Sequence, residues 1–261
     1  MAGPYDLQFR SEYRRLGFLM GQGDQEYGTA LHRVCANAHS CWRVVPDAER
    51  PAVDCPESQI YRPWVGESYE RTHLLVLGLN MNGAGGYDIM EGKDGVPRCK
   101  EELMHSNRIL ANPEYRGTYF EARMLACAWA VLLRTSPSEE YPLHTRDQIL
   151  EAYHEPGHHM REALITGYDW IALTNVVKCS PMNTPNGSPT DEMCDLCPTH
   201  VLRREIEILR PQVILSLGGG AQKSVDTLRG SWRHINTIHP AAYGYRIDDA
   251  VATILGSQEC V

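Results

Sequence analysis

Cys194-x-x-Cys197, with His200 three residues further on, sets two thiols and an imidazole at the spacing of metal ligands. Cys179 lies eighteen residues before Cys197, across a loop rich in Pro and Asn. The irregular stretch from Cys35 to Pro63 carries three more cysteines, Cys35, Cys41 and Cys55, among four prolines. Such a stretch has little core of its own and suits a metal-tied loop. The two regions could together bring four thiolates to one centre. A [4Fe–4S] cluster takes four cysteines, and zinc takes thiolates or thiolates mixed with imidazole, so spacing leaves both open. Cys127 falls in an apolar helical run and reads as core packing. His158-His159 has no second ligand pair at useful spacing and reads as part of a helix surface.

A second group of residues stands where apolar runs end. Gly78-Leu-Asn-Met-Asn-Gly-Ala-Gly-Gly86 is glycine-rich, but it lacks the Gly-Lys-Ser/Thr ending of a P-loop and the glycine spacing of a dinucleotide fingerprint. It is therefore not read as a nucleotide-cofactor loop. Asn80 and Asn82 could orient a water or a base edge, or support a turn through their own backbone. Asn175 closes an otherwise apolar run, where a polar side chain needs partners. Its amide offers an acceptor and two donors on one edge, complementary to the edge of a pyrimidine. His239-Pro240 follows a short strand, where an imidazole could donate to an oxygen that gains charge during a reaction. Gly218-Gly-Gly reads as a tight strand-to-helix turn.

The elements that must hold these groups follow from the apolar pattern. The chain has 261 residues, 43% of them apolar, enough for a full core without disulfide staples. Strands are expected at His73–Leu79, Trp170–Val177 and Val213–Leu217, with a short fourth one at Ile235–Ile238. Helical spacing marks residues 5–36, 119–134, 146–166 (interrupted by Pro156-Gly157), Val201–Arg210, 221–228 and about 248–255. Continuous apolar strands alternating with helices predict an α/β fold, a three-layer αβα sandwich around a mainly parallel four-stranded sheet. Residues 1–64 would be an N-terminal helical and cysteine-rich extension, and residues 65–256 the α/β domain. In such folds function collects at the carboxyl ends of the strands, which are the positions just named.

Composition bounds the partners. The net charge of −8 argues against non-specific coating of nucleic acid. Residues 199–246 nevertheless hold seven Lys or Arg against three Asp or Glu, so positive charge is focused in the last third. No run approaches the ~20 apolar residues of a membrane span, and the first residues lack a signal-peptide pattern, so a cytoplasmic chain without a membrane partner is expected. Nine cysteines in a reducing compartment read as thiols or metal ligands.

Four segments, in order, resemble the uracil-DNA glycosylase superfamily, most nearly its iron–sulfur branch, family 4. Leu173-Thr-Asn-Val-Val-Lys-Cys-Ser-Pro181 is similar to that branch's strand-plus-cysteine signature. The run from Cys197 to Gly218, ending Arg-Pro-Gln-Val-Ile-Leu-Ser-Leu-Gly, resembles the helix that begins at a cluster cysteine and leads into the next strand. His239-Pro-Ala-Ala-Tyr243 looks like the His-Pro-Ser motif, and Val65-Gly-Glu with Leu75-Val-Leu-Gly78 looks like the approach to the first catalytic motif. The first motif departs from family 4: Gly78-Leu-Asn-Met-Asn82 is nearer the Gly-x-Asn-Pro form of other branches. Residues 87–117 form an insertion before the segment that normally carries a Phe, and the N-terminal Cys-x-x-Cys pair is missing.

The resemblance implies a monofunctional DNA glycosylase that flips out uracil or a related modified pyrimidine and hydrolyses its glycosidic bond. Asn80 would position the water and His239 would stabilise the departing base. Gly78, Leu79, Asn175 and either Tyr119 or Phe120 would bind that base. Tyr243, Tyr245 and Arg246 would enter the duplex. The implied cofactor is a [4Fe–4S] cluster on Cys41, Cys55, Cys179 and Cys197, with Cys35 and Cys194 as substitute ligands and zinc as the alternative metal. DNA is the implied partner of a monomeric chain. Two other readings are a glycosylase for a bulky modified base in foreign DNA and a non-catalytic nucleic-acid-binding iron–sulfur module.

Overall fold

The computed structural model describes residues 4–16, 63–79, 100, 103–104, 116–154, 158–178 and 189–256. Five strands form one sheet: β1 (Trp64–Val65), β2 (Leu74–Gly78), β3 (Ile171–Asn175), β4 (Val213–Leu217) and β5 (Arg233–Thr237). Their order is β1-β3-β2-β4-β5, with β2 in the centre. The last four run parallel, and β1 pairs antiparallel with β3 through Trp64↔Leu173 and Val65↔Ala172. The sheet thus has one strand more than the four expected, and it is mixed. A strand of two residues has no alternation to read, so β1 left no signal in the pattern.

Both faces of the sheet are covered. Leu74, Val76, Ile171, Leu173, Val213, Leu215 and Leu217 pack on one side. That side is closed by α2 (Arg116–Thr135), α3 (Arg146–His154), α4 (His158–Ile165) and α9 (Ile247–Gly256). Leu75, Leu77, Ala172 and Ile214 alternate to the other side. There α1 (Pro4–Arg15), α6 (Asp191–Cys197), α7 (Arg203–Leu209) and α8 (Gly219–Thr227) close the core. The remaining short helix, α5 (Gly167–Trp170), leads into β3, so Trp170 belongs to that turn and not to the strand. The layers are those expected. Of the N-terminal extension, residues 4–16 and 63–64 lie within the described residues, and Trp64 already belongs to the sheet through β1.

The rod from Asp191 to Leu209 is longer than the helix expected from Val201. Thr190 caps its start, its hydroxyl accepting from the Met193 N–H at 3.2 Å. Pro198 has no N–H to continue an α-ladder, and the chain passes it by widening to a π-helical turn over Pro198–Leu202. The rod ends where Arg210 adopts the left-handed conformation (φ 50°), just before Pro211.

A buried ion pair fixes this rod to the end of β3. Lys178 Nζ lies 2.5 Å from Glu205 Oε2 and donates to Thr174 Oγ1 at 2.6 Å. Both charged side chains are completely buried. The pair brings the residue before Cys179 against the rod that carries Cys197.

Candidate active site

The carboxyl ends of β2, β3, β4 and β5 share one edge of the sheet, and four of the expected site residues meet there or just beyond it. Gly78 and Asn175 are register partners at the ends of β2 and β3. The pairing continues past the strands, with Val176 N–H donating to the Gly78 carbonyl at 2.9 Å and Val177 N–H to the Leu79 carbonyl at 2.8 Å. A Cβ on Gly78 would stand 2.4 Å from Asn175 Oδ1, so only glycine leaves room for that amide. Asn175 is 5% exposed, with its amide oxygen over Gly78.

The β4 end is shaped around His239. Gly218 has φ +90°, a region that favours glycine, and a Cβ there would lie 2.9 Å from the His239 Cβ. Gly220 is packed against the Leu79 side chain, which joins the turn after β4 to the turn after β2. Asn80, the expected water-positioning residue, lies outside the described residues.

His239 is half-buried, and burial lowers its pKa from the ordinary 6.5. Its Nδ1 lies 3.2 Å from the Ala241 N–H and must therefore accept. A neutral ring that accepts at Nδ1 carries its proton at Nε2, so the imidazole presents one donor. The Phe120 ring stands beside it, with centroids 5.4 Å apart and planes tilted by 38°. Of the two aromatic candidates, Phe120 thus belongs to the His239 neighbourhood. Tyr119 is on the same helix, and its side chain lies outside the description.

The loop after His239 divides its residues between surface and core. Tyr243 is fully exposed, and Arg246 is exposed with its Nε 3.3 Å from Asp249 Oδ2. Tyr245 points the other way and corrects the expectation that it enters a duplex. It is 8% exposed, and its hydroxyl lies 3.0 Å from Cys127 Sγ. Loop residues give no alternation, so the sequence could not separate the outward tyrosine from the inward one.

Sequence reasoning missed Arg123, which lies one turn after Phe120 on α2. Its Nη1 donates to the Pro240 carbonyl at 2.6 Å and its Nε to the Tyr153 hydroxyl at 3.1 Å, and the guanidinium lies 4.9 Å from the Tyr245 ring centroid. A helical arginine between apolar residues has no motif to announce it. A trio at the far strand was also missed. His234 Nε2 is 2.8 Å from Ser216 Oγ and its Nδ1 is 3.2 Å from Asp226 Oδ1, distances that a hydrolase triad would have. Ser216 is completely buried and also donates to Asn236 Oδ1 at 2.9 Å, so no substrate carbonyl can reach it. The trio ties β4, β5 and α8 together.

Among the cysteines, Cys194 and Cys197 stand one turn apart on α6. Cys197 is 7% exposed within the apolar core, and Cys194 is half-buried. Burial, followed by Asp191 and Asp195, raises the Cys194 thiol and favours its protonated form. The Lys178–Glu205 pair brings the residue before Cys179 to the rod that carries both thiols. Cys35, Cys41, Cys55 and Cys179 lie outside the described residues. Cys127 is core, its thiol pushed up to about 11 by burial. His159 lies exposed on α4. No helix among the described residues is long and apolar enough to cross a membrane.

Residues 141–252 match the uracil DNA glycosylase superfamily. The matched span includes Asn175, Cys197, His239 and Tyr243 and ends within α9. Gly78, Leu79, Phe120 and Arg123 fall before it and join the site through the geometry described above.

Proposed function

We propose, from the match of residues 141–252 to that superfamily, that the chain is a DNA glycosylase that releases uracil or a related modified pyrimidine. The observation that carries this reading is the buried Asn175, its amide oxygen over Gly78, at the same sheet edge as a neutral His239. A base inside a stacked duplex is out of reach, so it must be flipped out at a cost of a few kcal/mol. Phe120 stacks on the extruded ring, and Asn175 reads its Watson–Crick edge. As the glycosidic bond breaks, the sugar gains oxocarbenium character and the base departs with negative charge. His239 Nε2–H donates to the pyrimidine O2 that receives this charge. Asn80 orients the water that adds to the sugar, which leaves an abasic site. Tyr243 and Arg246 extend from the loop after His239 toward the duplex.

Cys41, Cys55, Cys179 and Cys197 would hold a [4Fe–4S] cluster, for which the thiolate-only donor set is suited. Its contribution there is structural, a tie between the cysteine-bearing loop of the extension and the loop that leaves β3. Absorbance near 400 nm (roughly where thiolate-bound iron clusters absorb), with iron and sulfide in equal amounts, would support that assignment. A colourless protein with bound zinc would replace it.

The function is tested with oligonucleotides that carry uracil, hydroxymethyluracil or a glucosylated base, followed by alkaline cleavage of abasic sites. A break at uracil or hydroxymethyluracil is the expected result. A break only at the glucosylated base would assign the enzyme to bulky bases. Retained DNA binding without any break would make the chain a recognition module. A covalent adduct after borohydride treatment would overturn the hydrolytic, monofunctional mechanism.

A further inference from the structure

The group proposed to stabilise the departing base sits on a loop with little internal support. His239 follows β5 by two residues, and the turn after it is closed by Ala242 N–H to the His239 carbonyl at 2.8 Å and Tyr245 N–H to the Ala242 carbonyl at 3.2 Å. Its outer side carries the exposed Ile238 and Tyr243. The Nδ1 bond from Ala241 sets the tautomer, but that bond lies within the loop and moves with it.

The inner side of the loop is gripped from α2. Arg123 donates to the Pro240 carbonyl at 2.6 Å, next in sequence to His239, and its guanidinium plane covers the Tyr245 ring beyond the turn. Its Nε is anchored by the Tyr153 hydroxyl of α3 at 3.1 Å. One side chain thus holds both ends of the turn and a second helix. Phe120, one turn earlier on the same helix, faces the His239 ring. The helix that supplies the stacking ring therefore also sets where the imidazole stands.

We propose that Arg123 is a positioning residue for His239, which locks the His239–Pro240 turn against α2 at the distance from Phe120 that a flipped base requires. This rests on the reading of His239 as the donor to the departing base. The planar fork is essential to the role, because Lys is a point charge that cannot bridge a carbonyl, a hydroxyl and a ring face at once.

The test is Arg123→Lys, alone and in a His239→Ala background, with single-turnover rates, DNA affinity and unfolding midpoints recorded for each. A displacement near 1 Å at a reacting group costs up to ~10²-fold, so Arg123→Lys should lower the rate about tenfold to a hundredfold. DNA affinity should fall less than the rate does, because Arg123 grips the inner side of the loop whose outer side carries Tyr243. In the His239→Ala background the same substitution should cost no more than about twofold, because residues that act through one another are not additive. An undiminished rate for Arg123→Lys, or an equal loss in both backgrounds, would overturn the proposal. If Arg123→Lys does not fold, Tyr153→Phe removes only the hydroxyl that anchors Nε. It should give a smaller loss that again vanishes in the His239→Ala background, and no such loss would be equally fatal. The ¹⁵N resonances of the His239 imidazole separate this inference from the function it rests on. If the wild-type protein releases no base, a shift of those resonances in Arg123→Lys upholds the positioning role and sinks the glycosylase reading. Unmoved resonances would overturn the positioning role itself.

Discussion

His239 is a donor because its surroundings deny it a charge. Burial lowers its pKa from the ordinary 6.5, and the Ala241 N–H occupies Nδ1, so the proton stays at Nε2. His239→Ala should lower base release about 10²–10³-fold, the usual cost of one preorganised donor. The acid limb of the rate profile follows from the direction of the shift. More than half of the ring is neutral at pH 6.5, so the rate there should stay above half its plateau and reach half only in more acid solution. A rate already halved at pH 6.5 would contradict this assignment. Stability carries the same sign. A His with a depressed pKa in the fold contributes stability above its ordinary value and loses it as the pH falls. In the sequence, Asn175 stood out by closing an apolar run and His239 by its His-Pro pair after a short strand. Arg123 was not legible, since its role depends on Pro240 and Tyr245, more than a hundred residues away in the chain.

At the scale of elements, the strands of the parallel sheet were readable and their edges were not. β2, β3 and β4 are buried on both faces, so their apolar runs are continuous. β1 has two residues and owes its place to pairing with β3, which no local pattern encodes. The rod runs on through Pro198 although proline normally ends a helix, because a single π turn lets it continue. The tie between that rod and β3 has a sharp energetic signature. Lys178→Met or Glu205→Leu alone leaves a buried charge without its counter-ion and should destabilise by about 3–5 kcal/mol. The double variant Lys178→Met/Glu205→Leu should be closer to wild type than either single one. Urea unfolding midpoints check the order, and a double variant at the sum of the two losses would refute the pairing as the cause.

For the whole molecule, the two halves of the site come from different stretches of the chain. The span 141–252 carries the superfamily match, while Gly78, Phe120 and Arg123 come from before it and converge on the same sheet edge. Cysteine spacing suggested a metal centre but left the metal and its ligands open, because loop cysteines have no periodicity to place them. If Cys197 ties the loops through a cluster, Cys197→Ala should remove the ~400 nm absorbance. It should also lower the melting temperature before it alters chemistry in the molecules that remain folded. A Cys197→Ala protein with full absorbance and wild-type melting would exclude Cys197 as a ligand.

The central position of β2 has a consequence for how the chain comes to be folded. Leu74–Gly78 is synthesised early, yet its neighbours on either side, Ile171–Asn175 and Val213–Leu217, are made only after the helical layer of residues 116–165. Until then, an apolar strand has two open hydrogen-bonding edges, the arrangement that most readily recruits other chains. Closure of the sheet requires long loops to be fixed before any contact rewards them, which is slow. On the ribosome, the molecule therefore passes through a prolonged adhesive stage, during which holdase chaperones would decide its yield.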